Sequence, residues 1–331
     1  MKPLRVFVAA GLLAMVTLAS CSSGTGTSSD SQASAAPAAF EDRDAGGESL
    51  ANAWFELLSM PARQGTLSDP EEQARKSSAL VRPYLDPAFQ IQRASGERYT
   101  ADTYFPLYIR EFEVSNVVTT APREDITIVR YSIREPGAVD LESGMLMSDE
   151  LEPRMTVFRW DPLLGHWVIV SHANYNHPIA AVCNEAPVRV TGEPPATSVD
   201  DFALGESLVS QHRAITLGEV KGSMRHPAAQ IQLADGQGWP SADGSDIKWK
   251  PATAYAYEDL SVTRNGDLVV LSYGAVASEL VMEGAEYRSA GAPRLLTYLL
   301  DADGKWRYVA LANFTVPMEI PATVDCVAIG S

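Results

Sequence analysis

The chain has 331 residues, 46% of them apolar, with 26 basic against 42 acidic side chains. That length holds two ordinary domains, each with its own core, and the apolar share excludes wholesale disorder. A formal charge of −16 excludes a duplex nucleic-acid binder and surface adhesion to anionic lipid, and three cysteines are too few for a disulfide-dense scaffold.

Met1 to Arg5 is short and basic, and Val6 to Leu18 is apolar and uncharged. A bilayer span needs about 20 apolar residues, so this stretch reads as a leader rather than a membrane helix. Leu18-Ala19-Ser20-Cys21 closes it and resembles a bacterial lipobox. The resemblance implies a lipoprotein signal peptide over residues 1–20, cut before Cys21, and a diacylglycerol on the Cys21 sulfur. The protein is then expected at the cell membrane, lipid-anchored and facing outside the cytoplasm. Residues 21–44 read as a flexible tether, because from Ser22 to Ala39 only Asp30 is charged and nothing builds a core. No later segment offers 18 consecutive apolar residues, so no second span is expected.

The rest of the chain is written twice. Pro87-Ala88-Phe89-Gln90-Ile91-Gln92-Arg93-Ala94-Ser95-Gly96 returns as Pro227-Ala228-Ala229-Gln230-Ile231-Gln232-Leu233-Ala234-Asp235-Gly236, identical at seven of ten positions. Pro153-Arg154 returns as Pro293-Arg294, and the block from Gly165 to Tyr175 returns from Gly304 to Phe314. The matches are colinear, so two related domains are expected at 45–184 and 199–331. The Pro- and Gly-containing stretch 185–198 joins them as a linker.

In the first copy, Leu50, Ala53, Trp54, Leu57 and Leu58 have helical spacing. Pro70-Glu71-Glu72 opens a second helix that ends before Pro83. Phe89 to Ile91 starts a strand. Ile126, Ile128, Val129, Tyr131 and Ile133 alternate but change parity once, which reads as a bulge. Met155 to Trp160 and Trp167 to Tyr175 form a hairpin. In the second copy, Phe202, Leu204, Leu208 and Ile215 suggest a helix, and Asn265-Gly266 and the turn from Asp301 to Gly304 mark hairpins.

Helices followed by a bent antiparallel sheet, with the strand Pro-Arg-x-x-x-Phe and then Gly-x-Trp-x-(Ile/Tyr)-x-(Ser/Ala)-x-Ala, resemble the nuclear transport factor 2-like superfamily, which includes SnoaL-like cyclases and ketosteroid isomerases. The resemblance implies an α+β fold of two tandem cone-shaped domains, each with N-terminal helices on a curved antiparallel sheet. It also implies pairing through the sheets, here within one chain. A cystatin-like sheet wrapped on one helix is the alternative.

Phosphate-loop, nucleophile-elbow, zinc-helix and Cys-x-x-Cys motifs do not occur, so no cofactor and no metal are expected. His166, His172 and His177 are close in sequence, but the second copy has Lys305, Leu311 and Val316 there. The acidic turn Asp301-x-Asp303-Gly304 faintly resembles a calcium loop but lacks the remaining oxygen ligands and the closing Glu, so it reads as a plain hairpin. Catalytic members of the superfamily place an acid in the cone as general base; Asp86 and Asp102 are the candidates here, although Asp86 before Pro87 also reads as a turn residue. Tyr104, Tyr108 and Tyr131 form a second set, as oxyanion-type donors or as core. Ser171, Ala173, Ala310 and Ala312 share the parity of Trp167 and Trp306, leaving room on that face for a helix or a ligand. Asn174 and Asn313 fall on the other face, available for bonds across the sheet or between domains. Cys183 and Cys326 each follow the last strand of their copy; a disulfide between them is expected if the copies pair about a pseudo-twofold axis, and two free, buried cysteines far apart are the alternative. The expected function is non-catalytic binding of a small apolar ligand or a cell-envelope protein partner by a tethered lipoprotein. The alternatives are an isomerase, dehydratase or cyclase using a carboxylate in one cone, and an accessory subunit of an envelope machine.

Overall fold

A computed structural model of the chain describes residues 37–64, 70–94, 96–104, 107–141, 143–181, 197–240, 252, 254–282 and 285–314. Cys21, Cys183, Cys326, the signal peptide and most of the linker lie outside the described residues.

Helices α1 (Ala38–Glu41), α2 (Gly47–Gln64) and α3 (Pro70–Val81) come first. α1 lies inside the stretch read as tether, and its Phe40 is fully buried, with ring centroids 5.0 Å from Tyr84 and 6.4 Å from Phe158. The α2 stripe Leu50, Ala53, Trp54, Leu57 and Leu58 is buried as its spacing predicts. A short 3-10 turn at Arg82–Tyr84 ends the helical region around Pro83.

Strands β1 (Leu85–Arg93), β2 (Arg98–Thr100), β3 (Glu113–Arg123), β4 (Ile126–Arg134), β5 (Val139–Asp140), β6 (Met145–Met147), β7 (Glu152–Asp161), β8 (His166–Asn174) and β9 (Pro178–Ala181) follow. Then come α4 (Val199–Thr216), β10 (Arg225–Leu233), β11 (Gly238–Trp239), β12 (Ala254–Asn265), β13 (Leu268–Met282), β14 (Ala285–Leu300) and β15 (Trp306–Asn313). Ser198 caps α4, its hydroxyl accepting from the Asp201 amide at 3.1 Å.

The first large sheet has the order β2-β1-β8-β7-β4-β3, and the second β11-β10-β15-β14-β13-β12. The order is the same in both. The expected all-antiparallel pairing is corrected at one place in each: β1 runs parallel to β8, and β10 parallel to β15. These strands are far apart in sequence, so no tight turn forces them antiparallel. A third, small sheet β5-β6-β9 had no sequence signal. Among the described residues the second sheet carries one helix rather than several. Its connection from Thr216 to Arg225 turns through Gly218 and Gly222, both at positive φ, and leaves no length for a counterpart of α3.

Each large sheet is buried on both faces. One face of the first holds Val129, Tyr131, Ile133 and Trp167 against the helices. The second does the same with Val269, Leu271, Tyr273 and Tyr298. The opposite faces meet in a shared core that takes Ile126, Ile128, Val157 and Val170 from one sheet and Leu268, Val270, Leu295 and Val309 from the other. The parity change read as a bulge in β4 is therefore no bulge. β4 pairs with β7 without a break from Ile126↔Arg159 to Ile133↔Glu152, and its two apolar sets belong to two different cores.

A true irregularity lies in β8. Val157 pairs with Ser171 but Phe158 with Ile169, so one extra residue is inserted at Val170. Trp167 and Ile169 stay on the helix side, while Ala173 joins the seam core. β15 repeats this at Val309, which sends Ala310 and Ala312 to the seam and leaves Tyr308 on the helix side. The small residues thus do not make room beside the tryptophans; they let the two sheets approach. Glycine plays a similar part under the helices. A Cβ on Gly47 would lie 2.1 Å from Thr119 Oγ1, and one on Gly205 would lie 2.4 Å from Val262 Cγ2.

Candidate functional site

The seam is held by polar groups that cross it in both directions. Gln90 Nε2 donates to Val270 O at 2.9 Å and to Thr263 Oγ1 at 3.0 Å, and its Oε1 accepts from Ser272 Oγ at 2.6 Å. Gln230 Nε2 donates to Ile128 O at 2.9 Å, and to Val118 O and Thr120 Oγ1 at 3.1 Å each. Thr263 Oγ1 donates to Ala88 O at 2.6 Å, and Thr120 Oγ1 to Ala228 O at 2.7 Å. The Ser171 and Thr297 hydroxyls are 2.7 Å apart. Tyr175 stacks on Phe314 at 4.2 Å, and its hydroxyl donates to Gln232 O at 2.8 Å. Burying polar groups is tolerable only when they are bonded in this way.

At one end of the seam the sheets part around a groove of about 660 Å³, lined by Asn116, Val118, Arg130, Gln232, Gly238 and Trp239 among others. Its size is that of a small-molecule site. Arg130 leaves β4 on the seam face and is 7% exposed. Its Nη1 donates to Ile231 O at 3.0 Å and its Nη2 to Pro240 O at 2.7 Å. Burial lowers its pKa to about 10, against a smaller raising effect of Tyr175. A Cβ at position 238 would lie 2.0 Å from Arg130 Nη1, so Gly238 is what lets the guanidinium reach the hairpin. Asn116, at φ 52°, turns β3 at the rim and donates from Nδ2 to Ser132 Oγ at 3.3 Å.

The residues expected to carry chemistry lie elsewhere. Asp86 is fully buried but at the seam: its Oδ1 accepts from Ala88 N at 2.8 Å and from Asn265 Nδ2 at 3.1 Å, and Arg159 Nη2 lies 2.5 Å from Oδ2. Burial raises its pKa, while Arg159 and the two hydrogen bonds pull it back. It is a turn residue and a latch between sheets. His226 takes the corresponding turn position, accepting from Ala228 N on Nδ1 at 3.0 Å. Asp102 is exposed and pairs with Arg82 at 3.4 Å.

Tyr104 and Tyr131 do enter the interior of the first half, as core. Tyr104 stacks on Trp54 at 6.2 Å and meets Phe89 edge-on at 5.4 Å. Tyr131 meets Phe55 edge-on at 6.0 Å, and its hydroxyl is 2.9 Å from Thr156 Oγ1, which is 2.8 Å from His172 Nδ1. Burial pushes both phenols up. Burial pushes the His172 imidazole well down, and the cations of Arg154 and Arg93 add to that effect. Tyr108 lies apart, packed with Val139 and Leu141. Around this interior run ion pairs that sequence reasoning missed: Arg154 with Glu135 at 2.5 Å, and Arg93 with Asp140 at 3.1 Å. Asn176 Nδ2 also donates to Glu135 Oε2 at 3.1 Å. Arg154 and Arg294 stand in a repeated block, which was the available signal.

The three histidines do not gather. His166 contacts Pro83 O at 3.2 Å, His177 lies 3.1 Å from Glu152, and His172 is interior. Among the described residues no group of three or more His, Cys, Asp or Glu could hold a metal. Asn174 Oδ1 accepts from Asn176 N at 2.9 Å, within its own half, and Asn313 ends β15 opposite Leu233 and Arg294. In the second half Tyr255 and Tyr273 join hydroxyls at 2.9 Å. Arg294, fully enclosed, donates to Pro293 O at 3.0 Å and Phe314 O at 2.9 Å. Among the described residues no helix is long and apolar enough to cross a membrane.

The fold is α+β, and its neighbours among solved structures include nuclear transport factor 2-like and ketosteroid isomerase-type proteins. An NTF2-like protein from Cytophaga hutchinsonii is 15% identical, covering 37% of this chain and 100% of its own, with a TM-score of 0.27. An NTF2-like protein of unknown function from Prochlorococcus marinus is 12% identical, covering 32% of this chain and 81% of its own, with a TM-score of 0.23. No family model and no curated protein matches the sequence.

Proposed function

We propose that the protein is a lipid-tethered, extracytoplasmic binding protein made of two tandem nuclear transport factor 2-like domains, and that it holds a small molecule where the two domains meet. The single observation that carries the binding reading is the groove of about 660 Å³ at one end of the seam. Repeated sequence blocks and a repeated strand order support the duplication. The leader and Cys21 support the tether. Asp86 and Asp102, the carboxylates considered for general-base work, are held by Arg159 and Arg82 outside the aromatic interiors, which favours binding over the isomerase-type alternative.

Ser132 lines the groove beside Arg130, and a large side chain there occupies it. The test is a ligand-observed NMR screen of a small-molecule fragment set against the full chain and its Ser132→Trp variant. Fragments that bind the wild type and lose binding in the variant support the proposal. A set whose binding ignores the variant overturns it.

A further inference from the structure

The buried guanidinium groups of this protein are treated unequally. Arg93, Arg154 and Arg159 meet Asp140, Glu135 and Asp86 at 3.1, 2.5 and 2.5 Å. Arg130, 7% exposed, and Arg294, 4% exposed, are buried too, yet among the described residues neither meets a carboxylate; both donate to main-chain carbonyls, and of the two it is Arg130 that lines the groove. At Arg130 two main-chain carbonyls take up one hydrogen of each terminal nitrogen, whereas a guanidinium carries five N–H donors. Carbonyl dipoles solvate the charge in part and do not neutralise it. A cation removed from water without a counter-charge is costly, and an arriving anion recovers that cost through charge-assisted hydrogen bonds.

The opposite end of the seam shows what closing the groove looks like. The strand registers put Arg98 opposite Gln92 where Gly238 stands opposite Gln232. They also put Ser272, which bonds Gln90, in the place of Arg130. Asn116 and Asp259 are the turning residues, both at φ 52°. There Arg98 donates from Nη1 to Asp259 O, so a side chain of the hairpin spans the gap. At the open end glycine replaces that side chain, and the cation comes from the sheet instead.

We propose that the groove binds a small amphipathic monocarboxylate, with its carboxylate on the Arg130 guanidinium and its apolar body against Val118, Pro153 and Trp239. This rests on the groove being the ligand site. Asn116 and Gln232 line the same groove, with the Gln232 amide donating to Leu233 O and Gln237 O within its own hairpin. One guanidinium matches one carboxylate in charge and planar geometry.

The test is titration calorimetry of the full chain with hexanoate and phenylacetate, and with hexanamide and phenylacetamide as uncharged partners of the same shape. The expected result is at least ten-fold tighter binding of each acid than of its amide, a preference that shrinks as salt rises. Arg130→Gln brings acid and amide to parity, and Arg130→Lys keeps part of the preference. Gly238→Ala weakens the acids, because its methyl displaces the guanidinium. Equal binding of acid and amide by the wild type overturns the carboxylate proposal and leaves the groove as a site. Binding of none of the four overturns the carboxylate proposal. Whether the groove itself stands is then decided by the Ser132→Trp comparison.

Discussion

The side-chain amide of Gln90 reaches Val270 O, and that of Gln230 reaches Ile128 O, at 2.9 Å in both directions. Each glutamine sits on the second strand from the edge of its sheet and bonds the next-to-edge strand at the far side of the other. An exchange in which one residue contacts its partner's equivalent, and the reverse, marks a two-fold interface between identical subunits. Here both sides belong to one chain. Gln90→Leu, and separately Gln230→Leu, leave a buried carbonyl and hydroxyl without a donor. Each is expected to lower the unfolding free energy by about 1–3 kcal/mol in urea titration. A loss below about 0.5 kcal/mol would show the bonds to be incidental.

Acid sensitivity follows from His172. Its folded pKa lies below the unfolded value of about 6.5, because burial disfavours the charged ring. As pH falls through about 6.5 the unfolded chain takes up a proton that the folded one refuses. Stability is full above that pH and declines below it, by up to about 1.4 kcal/mol per pH unit. His212, lowered to about 4, acts with the same sign. His172→Gln is expected to flatten the stability profile between pH 6.5 and 5. An unchanged slope removes His172 from the account.

The tether is tested at Cys21. Cells grown with a labelled fatty acid should label the wild-type protein and not Cys21→Ala, whose product should leave the membrane fraction. Labelling that persists in the variant removes the lipoprotein assignment.

Cys183 and Cys326 are expected to be joined. The loop they close exceeds 140 residues, and chain entropy gives roughly 4–5 kcal/mol for a loop of that length. Counting thiols on the denatured, unreduced mature protein decides the matter: none reactive supports the bridge, and two end it.

Helices α2 and α3 were legible because their signals are local, whereas α1 was read as tether. The Leu50–Leu58 stripe and the Pro70 start needed no knowledge of the partner surface. Strand β4 was misread because its two apolar sets face two different cores, and the second core exists only once the sheets have met. Parity arguments through Trp167 failed at Val170, where one inserted residue reverses every following side chain. The repeated Gln90 and Gln230 were visible as a pattern, yet their partners lie over 100 residues away. Arg130 carried no signal at all, since its role depends on what stands at position 238.

The contrast between Gly238 and Arg98 has a consequence for how such a site can arise. In an assembly of two identical chains, every substitution appears at both ends of the interface, so a change that opens one end opens the other. With both sheets in a single polypeptide that obligation disappears. One end can keep a bridging arginine for rigidity while the other gives up its side chain for access. On the reading proposed above this leaves one binding place instead of two, its number set by covalent connection rather than by how many copies assemble.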